Sequence, residues 1–547
     1  MPSSASTERA ARAGFTAVAW ATVAAVAAIA LFLGAQALPA IVEIGGDFLG
    51  TVWSPVRGLW GILPMLWGSA AVTAVALAVG LPLGVLTALF LTHFCPRCLA
   101  APISAAADLL AGIPSVVYGF FGLVLLVPAV RSLFGGSGMS ILTAGILLGI
   151  MILPTILSLT RTALLTVPDS LYRGARALGA EHTAAVFTVV LPAARTGIRN
   201  AALLGLGRAV GETMAVIMVA GNQARLPAGL LDGIRTLSTG IVIEMGYATG
   251  LHRSALIALA LILFAIILGL NLILMRRPKA GRERRWRLRL PRFAPHTAAG
   301  VTVLILFAIL GFVVVRGAPH LGAALPGLAA PAVTTLAVIA LSLALSLPAG
   351  LALAAYLAEY ARPGWVMRLV RTMTQTLAGL PSVVWGLFGM LFFVIRLGWG
   401  YSILAGGATM ALMLLPIIER TAEEGLRAVD DGLRRGSAAL GAGRFRTLRC
   451  ILLPAAGEGI VGGIILAVGR VVGETAALLW TAGSVAQWPT SLFASGRTLA
   501  VHMYALAGEG LYTDQAYATA LVLVVLVLGL NLAAGALGRR LRRKVGA

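Results

Sequence analysis

The sequence predicts an all-α membrane protein with about twelve transmembrane helices, arranged as two parallel repeats of six. Its 547 residues are 59% hydrophobic and only 11% charged, with a mean hydropathy of +0.95. Soluble domains are about 45–50% apolar and roughly a quarter charged. The other two observations behind this prediction are a series of membrane-length apolar runs and a repeat that is visible in the letters.

Twelve apolar runs approach the length of about 20 residues that crosses the core of a bilayer. The predicted spans are 14–36, 64–92, 103–130, 139–164, 197–222 and 252–275, then 297–316, 330–358, 370–396, 402–424, 458–482 and 515–538. The first apolar run is longer than the apolar region of a signal peptide, so we predict an uncleaved helix.

Positive charge is concentrated between and after the two sets of spans. The segment 276–292 has nine Arg or Lys residues and one Glu, and the chain ends in "RRLRRKVGA". The positive-inside rule places both segments in the cytoplasm, so both termini are predicted to be cytoplasmic. Each half then has an even number of spans and the same orientation, which is a parallel repeat. The net charge of +22 therefore indicates cytoplasmic loops rather than nucleic-acid binding.

The repeat is explicit in two pairs of segments. "LAGIPSVVYGFFG" (110–122) matches "LAGLPSVVWGLFG" (377–389), and "RGARALGAEHTAAVFTVVLPAA" (173–194) matches "RGSAALGAGRFRTLRCILLPAA" (435–456). After the third span the matches keep a constant offset of 262 residues. The predicted domains are a first half at 1–275 with its core at 64–275, a linker at 276–292, and a second half at 293–547 with its core at 330–538.

A polar, Arg-bearing segment separates the fourth and fifth spans of each half. In both copies a Gly is followed at the same distance by Leu-Pro: the positions are Gly179, Leu191 and Pro192, then Gly441, Leu453 and Pro454. Gly permits a tight bend, and Pro ends one helix or begins the next. We predict two short helices joined by a Gly turn. An ordinary loop helix lying on the membrane is the alternative.

The fifth span of each half carries a pair of opposite charges. Arg208 precedes Glu212 by four residues, and Arg470 precedes Glu474 in the same way. Each charge costs about 2.5–3.5 kcal/mol at the centre of a membrane helix. In a continuous helix the two residues of each pair share a face and can interact. We expect them to face a wet cavity, and a pair that only packs helices together is the alternative.

Duplication of the charged pair points to a shared path. If the halves pack about a pseudo-two-fold axis, Arg208 and Arg470 face each other across it. Two guanidinium groups suit a tetrahedral oxyanion, because each can bind two of its oxygens. Thr213 and Thr475 add hydroxyls. The two Glu residues would balance the arginines, or accept a hydrogen bond from a protonated oxyanion.

The Gly…Leu-Pro segments resemble the EAA loop of type I ABC-importer permeases. That resemblance implies the permease fold of this family, and coupling helices that dock into grooves on ATPase subunits. It maps the family's conserved loop positions onto the Gly, Leu and Pro residues given above. The family's Glu is replaced by Arg173 and Arg435. A Glu-mediated contact with the ATPase would have to be made by other loop charges, such as Glu181 or Asp169.

The charged spans resemble one subfamily more closely. "GLGRAVGETMAVIMVAGN" (205–222) is similar to the C-type permease of the bacterial phosphate-specific importer, and "GRVVGETAALLWTAG" (469–483) to its A-type partner. The resemblance implies a fusion of the two, importing phosphate across the bacterial inner membrane. It maps the residues implicated in translocation onto Arg208, Glu212 and Arg470. The implied partners are a cytoplasmic ATPase dimer and an extracytoplasmic phosphate-binding protein, besides membrane lipid.

Catalysis on this chain is not expected. A P-loop needs Gly-Lys followed by Ser or Thr, but Lys279 is followed by Ala and Lys544 by Val. The chain is therefore predicted to be no enzyme and to hold no cofactor, with ATP and Mg on a separate ATPase. Cys95 and Cys98 form a CxxC, for which we favour two reduced loop cysteines over a redox or metal site.

Three other functions remain open from the residues. The nearest is an ABC importer for sulfate, molybdate or phosphonate. An ion-coupled secondary transporter also has twelve spans in parallel halves, although the duplicated Gly…Leu-Pro loop argues against it. A membrane scaffold or sensor would not need two charged sites within its spans.

Overall fold

The computed structural model describes residues 4–275, 291, 293–510 and 512–545, which are largely helical. In the first half the α-helices are α1 (Ser4–Ile44), α2 (Leu63–Leu89), α3 (Arg97–Gly112), α4 (Ser115–Phe121), α5 (Val127–Phe134), α6 (Ile141–Leu165), α7 (Asp169–Ala177), α8 (His182–Ala185), α9 (Leu191–Ala193), α10 (Arg195–Gly211), α11 (Met214–Val219), α12 (Leu237–Glu244) and α13 (Gly250–Met275). Strands β1 (Trp53–Ser54) and β2 (Leu59–Trp60) form a small antiparallel hairpin between α1 and α2.

The second half repeats much of this order. Its helices are α14 (Ala294–Gly317), α15 (Leu321–Ala355), α16 (Trp365–Gly379), α17 (Ser382–Gly389), α18 (Ile403–Ala428), α19 (Asp431–Ala439), α20 (Arg444–Thr447), α21 (Leu453–Ala455), α22 (Gly457–Gly473), α23 (Ala476–Leu479), α24 (Leu499–Glu509) and α25 (Thr513–Val545). The linker predicted at 276–292 lies outside the described residues, apart from Pro291.

π-Helical turns lie at equivalent places in the two halves. The matched pairs are Phe90–Phe94 with Tyr356–Tyr360, Gly122–Leu126 with Met390–Arg396, and Val186–Val190 with Leu448–Leu452. Short 3-10 turns lie at Gly45–Leu49, Pro55–Arg57 and Ala318–His320. The sequence repeat is therefore accompanied by a repeat of the π-helical turns in the backbone.

Within the described residues, eight helices are long and apolar enough to cross a membrane, or up to ten if each of two bent pairs is one span. The upper count of ten is two fewer than the twelve predicted, for two reasons. The continuous helical stretch Ala294–Tyr360, 67 residues long, contains two predicted spans. The predicted span 197–222 is interrupted, because α10 has only 17 residues and stops at Gly211.

By packing, the chain divides into two compact units. The first-repeat unit contains Ala37–Pro319, and the second-repeat unit contains Met1–Gln36 together with His320–Ala547. Most of α1 therefore packs with the second repeat, and α14 packs with the first. The halves proposed from the sequence, 1–275 and 293–547, stay a prediction about the repeat itself. The packing units differ from these halves only in where they place α1 and α14.

Ring and hydroxyl contacts hold the two exchanged helices in place. On α1, the ring of Phe32 lies 6.1 Å from that of Phe388 in the second-repeat unit. On α14, Thr302 Oγ1 is 3.0 Å from Thr87 Oγ1 of α2 in the first-repeat unit. Both hydroxyls are buried, so this bond satisfies groups that would be costly to leave without partners.

Glycine allows the two long helices at the centre of each unit to approach closely. A Cβ at Gly84 of α2 would lie 2.8 Å from Cγ2 of Ile156 on α6. At the equivalent Gly350 of α15, it would lie 2.7 Å from Cγ2 of Ile418 on α18. Small residues at such contacts are the usual device for packing helices in membranes. The same helix pair therefore forms the centre of both units.

Candidate functional site

The fifth predicted span of each repeat is broken at the same place. α10 ends at Gly211 and α11 begins at Met214, while α22 ends at Gly473 and α23 begins at Ala476. Gly is among the weakest helix formers, which favours an end there. The residues between the two helices are Glu-Thr in both repeats.

This break corrects one expectation from the sequence. Arg208 and Glu212 do not share the face of a continuous helix, and neither do Arg470 and Glu474. Each Arg lies in the last turn of its helix, and each Glu is the first residue beyond that helix, with extended backbone. Their φ and ψ are −72° and 137° for Glu212, and −79° and 130° for Glu474. The two repeats thus have one backbone geometry.

In the first repeat, Arg208 is exposed and its Nη1 donates to Thr155 Oγ1 on α6 at 2.9 Å. The carboxylate of Glu212 accepts the backbone N–H of Ala215 at 3.4 Å, in the first turn of α11. Ser238 donates to the carbonyl oxygen of Glu212 at 2.9 Å. The backbone at the break is therefore held by side chains, and the guanidinium group remains accessible.

In the second repeat, the charged pair is closer to the arrangement that we predicted. Arg470 Nε lies 3.9 Å from Glu474 Oε2, with the arginine side chain 48% exposed and the glutamate 7%. The other carboxylate oxygen accepts the N–H of Ala477 at 3.4 Å. At 3.9 Å the two groups form an ion pair but not a hydrogen bond. Arg470 is again the accessible member of the pair.

The two threonines are the last residues of the breaks, directly before α11 and α23. Thr213 and Thr475 are each 1% exposed. Thr213 Oγ1 donates to the carbonyl oxygen of Gly211 at 3.4 Å. Thr475 Oγ1 is buried with no hydrogen-bond partner among the described residues, which carries a free-energy cost.

A small cavity lies beside Glu212 in the first-repeat unit. Its lining is Ser69, Val72, Thr73, Leu148, Ala209, Val210, Glu212, Val216 and Thr236. Three hydroxyls and a carboxylate therefore meet in an otherwise apolar wall. Its volume of about 10 Å³ gives room for about one water molecule.

The motif LAG(I/L)PSVV(Y/W)G positions the helix that follows each break. A Cβ at Gly119 would lie 3.0 Å from Cα of Ala215 on α11. A Cβ at the equivalent Gly386 would lie 2.8 Å from Cα of Ala477 on α23. Only glycine permits α4 to approach α11, and α17 to approach α23, this closely. The two motifs found in the sequence therefore meet at the break.

The predicted two-helix loops are present in both repeats, and we call residues 169–193 and 431–455 the interspan loops. Each first helix ends in the hydrogen-bond pattern of a Schellman motif, with Gly179 at φ +83° and Gly441 at φ +76°. Leu191-Pro192 and Leu453-Pro454 begin short helical segments after a π-helical turn, where the N–H that Pro lacks is not needed.

Each interspan loop presents two exposed leucines at equivalent positions, which the sequence analysis missed. Leu178 is 91% exposed and Leu440 is 90% exposed, directly before the turn glycines. Leu171 and Leu433 are 45% and 48% exposed. Exposed apolar side chains that recur in both repeats indicate a surface for contact with another protein or with the membrane. The signal in the sequence is a pair of leucines seven residues apart in each loop.

Arg173 and Arg435 are both exposed. Arg173 Nε pairs with Asp169 Oδ2 at 2.5 Å, within its own helix. Asp431 pairs with Arg434 at 3.0 Å in the second loop. The aspartate that we considered for an ATPase contact therefore neutralises a neighbouring arginine.

The interspan loops are tethered to the preceding spans by different chemistry at equivalent positions. In the first repeat, Tyr172 Oη is 2.8 Å from His182 Nδ1, and His182 Nε2 is 3.0 Å from the carbonyl oxygen of His93. In the second, Arg434 bridges Glu359 at 3.1 Å. The connection between loop and span is therefore present in both repeats, although different residues make it.

The sequence analysis also considered a metal or redox role for Cys95 and Cys98. Within the described residues, no group of three or more His, Cys, Asp or Glu could hold a metal ion. Burial, with a smaller contribution from Cys98, raises the pKa of the Cys95 thiol. A reactive cysteine has a lowered pKa, so the raised pKa of Cys95 gives no indication of a reactive thiol at that position.

Comparison with known proteins finds one family model twice in the chain. The model for the "binding-protein-dependent transport system inner membrane component" matches residues 80–277 and again 346–546. The two matched ranges contain both breaks and both interspan loops.

Individual relatives match one repeat or both. "Phosphate transport system permease protein PstC" of Mesorhizobium japonicum is 40% identical over 261 residues, covering 44% of this chain and 79% of that protein. "Probable ABC transporter permease protein YqgI" of Bacillus subtilis is 33% identical, covering 46% and 94%. "Phosphate transport system permease protein PstA homolog" of Mycoplasma pneumoniae is 26% identical over 533 residues and covers 82% of each chain. The last relative therefore spans both repeats.

Proposed function

Because the chain belongs to the family of binding-protein-dependent transport system inner membrane components, we propose that it is the permease of an ATP-driven phosphate importer, with both half-permeases on one polypeptide. The names of the relatives that match one repeat and both repeats support phosphate as the substrate. Two matches to the family model, one in each repeat, support the fusion. ATP and Mg bind to a separate ATPase, and this chain performs no covalent chemistry.

The observation that carries the substrate proposal is an accessible arginine beside a helix break in both repeats. Arg208 and Arg470 keep their guanidinium groups exposed, although each lies in a segment flanked by apolar spans. Such charges in membrane proteins face aqueous paths. A guanidinium group binds a phosphate oxygen pair through two parallel hydrogen bonds, so each arginine can hold the ion in a fixed orientation.

The two glutamates supply selectivity in this proposal. Glu212 and Glu474 follow the arginines and cap the next helix through one carboxylate oxygen each. The second oxygen can accept a hydrogen bond. Phosphate retains a proton near neutral pH and can donate that bond, whereas sulfate cannot. A glutamate beside the arginine thus favours phosphate over sulfate.

One residue links each interspan loop to the helix that carries the arginine, so movement of the ATPases can be transmitted to that helix. In the first repeat only Ala194 separates α9 of the interspan loop from α10. In the second, Ala456 separates α21 from α22 at a bend of 69°. Closure of an ATP-bound ATPase dimer on the loops would therefore tilt the helices that carry Arg208 and Arg470. A substrate-binding protein on the opposite face would deliver phosphate.

The location follows from the same proposal. The interspan loops, both chain termini and the linker lie in the cytoplasm, where the ATPase is. The basic residues of the linker agree with that side under the positive-inside rule. The chain is a multi-pass protein of the bacterial inner membrane.

The test is phosphate uptake by vesicles that contain the purified importer with its ATPase and binding protein. Arg208→Gln and Arg470→Gln should each lower uptake by at least about tenfold, because each removes a charge-assisted hydrogen-bond pair. Uptake should require ATP on the ATPase side and should survive an uncoupler. Radiolabelled phosphate and sulfate are compared in parallel.

Arg131→Gln is the matched control, since Arg131 is exposed at the end of α5 and lies outside the proposed path. Its uptake should equal that of the wild type. Normal uptake by both pathway variants would contradict the assigned binding residues. Uptake that collapses with the uncoupler alone would indicate an ion-coupled transporter, and a preference for sulfate would overturn the substrate.

A further inference from the structure

A second polar cavity lies in the first-repeat unit, away from the helix break. It measures about 190 Å³ and is lined by Ser104, Ala107, Leu157, Ser158, Arg161, Thr162 and Leu165. A cavity needs only about 10–15 Å³ of volume, measured as the space open to the centre of a water molecule, to hold one water. The space therefore admits a small anion together with water. Three hydroxyls and one guanidinium group face it.

Arg161 lies near the end of the membrane-length helix α6, four residues before Leu165. Its Nη1 donates to Ser104 Oγ of α3 at 2.9 Å. A guanidinium group has five N–H donors, so this bond leaves donors for a ligand in the cavity. A neutral hydroxyl also does not cancel the charge as a carboxylate would.

A polar stripe on α6 joins this cavity to Arg208. Thr155, Ser158 and Thr162 are spaced three and four residues apart, which places them on one helix face. Thr155 accepts the bond from Arg208, whereas Ser158 and Thr162 line the cavity. Ser158 and Thr162 are exposed on a helix whose apolar window is 78% buried.

The stripe runs from the helix break toward the interspan loop. Residues 155 and 161 are separated by about 9 Å along the helix at about 1.5 Å per residue. α6 ends at Leu165, and the interspan loop begins at Asp169. An ion that leaves Arg208 along this face therefore meets Arg161 next.

The second repeat has the opposite chemistry at the equivalent positions. Arg161 corresponds to Glu423, and Ser104 to Arg371, and these two residues are joined at 2.5 Å. Glu423 also pairs with Arg427 at 2.9 Å. The contact between Arg371 and Glu423 is therefore an ion pair that joins α16 to α18. The hydroxyl-lined arginine of the first repeat is thus not needed for the shared fold.

We propose that Arg161, with Ser104, Ser158 and Thr162, forms a second binding site for a tetrahedral oxyanion, which the ion occupies after it leaves Arg208. The proposal rests on the function proposed above, because the transported ion is taken to be phosphate. It makes the path asymmetric: the first repeat provides the exit site, and the second repeat does not.

Uptake by the complete importer in vesicles tests the site. Arg161→Gln should lower phosphate uptake by about tenfold or more, because it removes a charge-assisted bond to the ion. Arg161→Lys should retain part of the uptake. The rate of ATP hydrolysis that the loaded binding protein stimulates should stay within about twofold of the wild-type rate. Arg57→Gln, at an exposed position of the β1–β2 hairpin, is the control.

A labelling experiment measures occupancy directly. Ser158→Cys is introduced after Cys95, Cys98 and Cys450 are replaced by Ser, and it is treated with a membrane-impermeant thiol reagent. The reagent should modify Cys at this position, and inorganic phosphate should slow the reaction where chloride does not. Adding Arg161→Gln should abolish the protection. Leu304→Cys, on an exposed apolar face of α14, should not react.

The outcomes separate this site from the substrate assignment. Normal uptake by Arg161→Gln, or labelling that phosphate does not slow although the wild type imports phosphate, would overturn the site and leave the proposed function intact. If the wild type imports sulfate or molybdate instead, the substrate assignment fails. Sensitivity of that uptake to Arg161→Gln would then still support an oxyanion site. Import of no tested oxyanion would overturn both.

Discussion

Arg208 and Arg470 could be selected from the sequence because charge in an apolar span is costly and the same pair occurs twice. Their local geometry could not. The sequence reading placed each Arg and Glu on one helix face, but the Gly at the helix end and the carboxylate that caps the next helix break the span. Helical periodicity in the sequence does not show where a glycine ends one helix and a carboxylate caps the next.

A buried glutamate in the first-repeat unit joins three elements that the sequence analysis did not connect. Glu244 of α12 is 5% exposed and pairs with Arg235. Its carboxylate also accepts from Trp53 Nε1 of β1 at 2.9 Å and lies 2.7 Å from His252 Nε2 of α13. The hairpin is therefore fastened to the helices that follow the break.

Glu244→Ala should lower the free energy of unfolding of the first-repeat unit by about 3–5 kcal/mol, because it leaves the charge of Arg235 buried without its partner. The thermal unfolding midpoint of the purified protein in detergent measures the effect. Glu43→Ala, at an exposed position on α1, is the control and should leave the midpoint unchanged. An unchanged midpoint for Glu244→Ala would contradict a stabilising role.

At the scale of elements, the interspan loops match the sequence prediction well. The Gly turn and the following helical segment form as expected, because a local signal determines a left-handed glycine. The tethers were not predictable, since they join positions some 75–90 residues apart through unlike side chains. The exposure of Leu178 and Leu440 likewise depends on how each loop packs on its unit.

Leu178→Ala and Leu440→Ala should each weaken the binding of the ATPase by about tenfold, since a buried leucine contributes about 1.5–3 kcal/mol at an interface. Co-purification of the ATPase with the tagged permease measures the loss. Leu133→Ala, at an exposed position at the end of α5, is the control. Binding equal to that of the wild type in both loop variants would argue against these loops as the docking surface.

At the scale of the whole molecule, the units defined by packing differ from the halves of the sequence. α1 precedes the first repeat in the chain but packs with the second, where Glu8 accepts the N–H of Phe445 in the interspan loop at 2.9 Å. α14 packs with the first repeat. Each sequence half thus supplies a helix that completes the other unit.

Residues 1–284 and 285–547, expressed as two chains, should therefore co-purify and restore phosphate uptake. Affinity purification of one tagged chain, followed by the vesicle assay, measures both results. The second chain expressed alone should aggregate, because it lacks the α1 residues that cover its apolar surface. A stable, monodisperse second chain would contradict this packing.

The sequence by itself determined the membrane class, the duplication, the two charged pairs as sites of interest and the loop motif, because composition, period and local turn chemistry depend on neighbouring residues. The tertiary structure decided which side chains meet: the broken fifth span, the exchange of α1 and α14, and the stripe from Arg208 to Arg161. Such contacts depend on distant residues packing together, which no local pattern specifies.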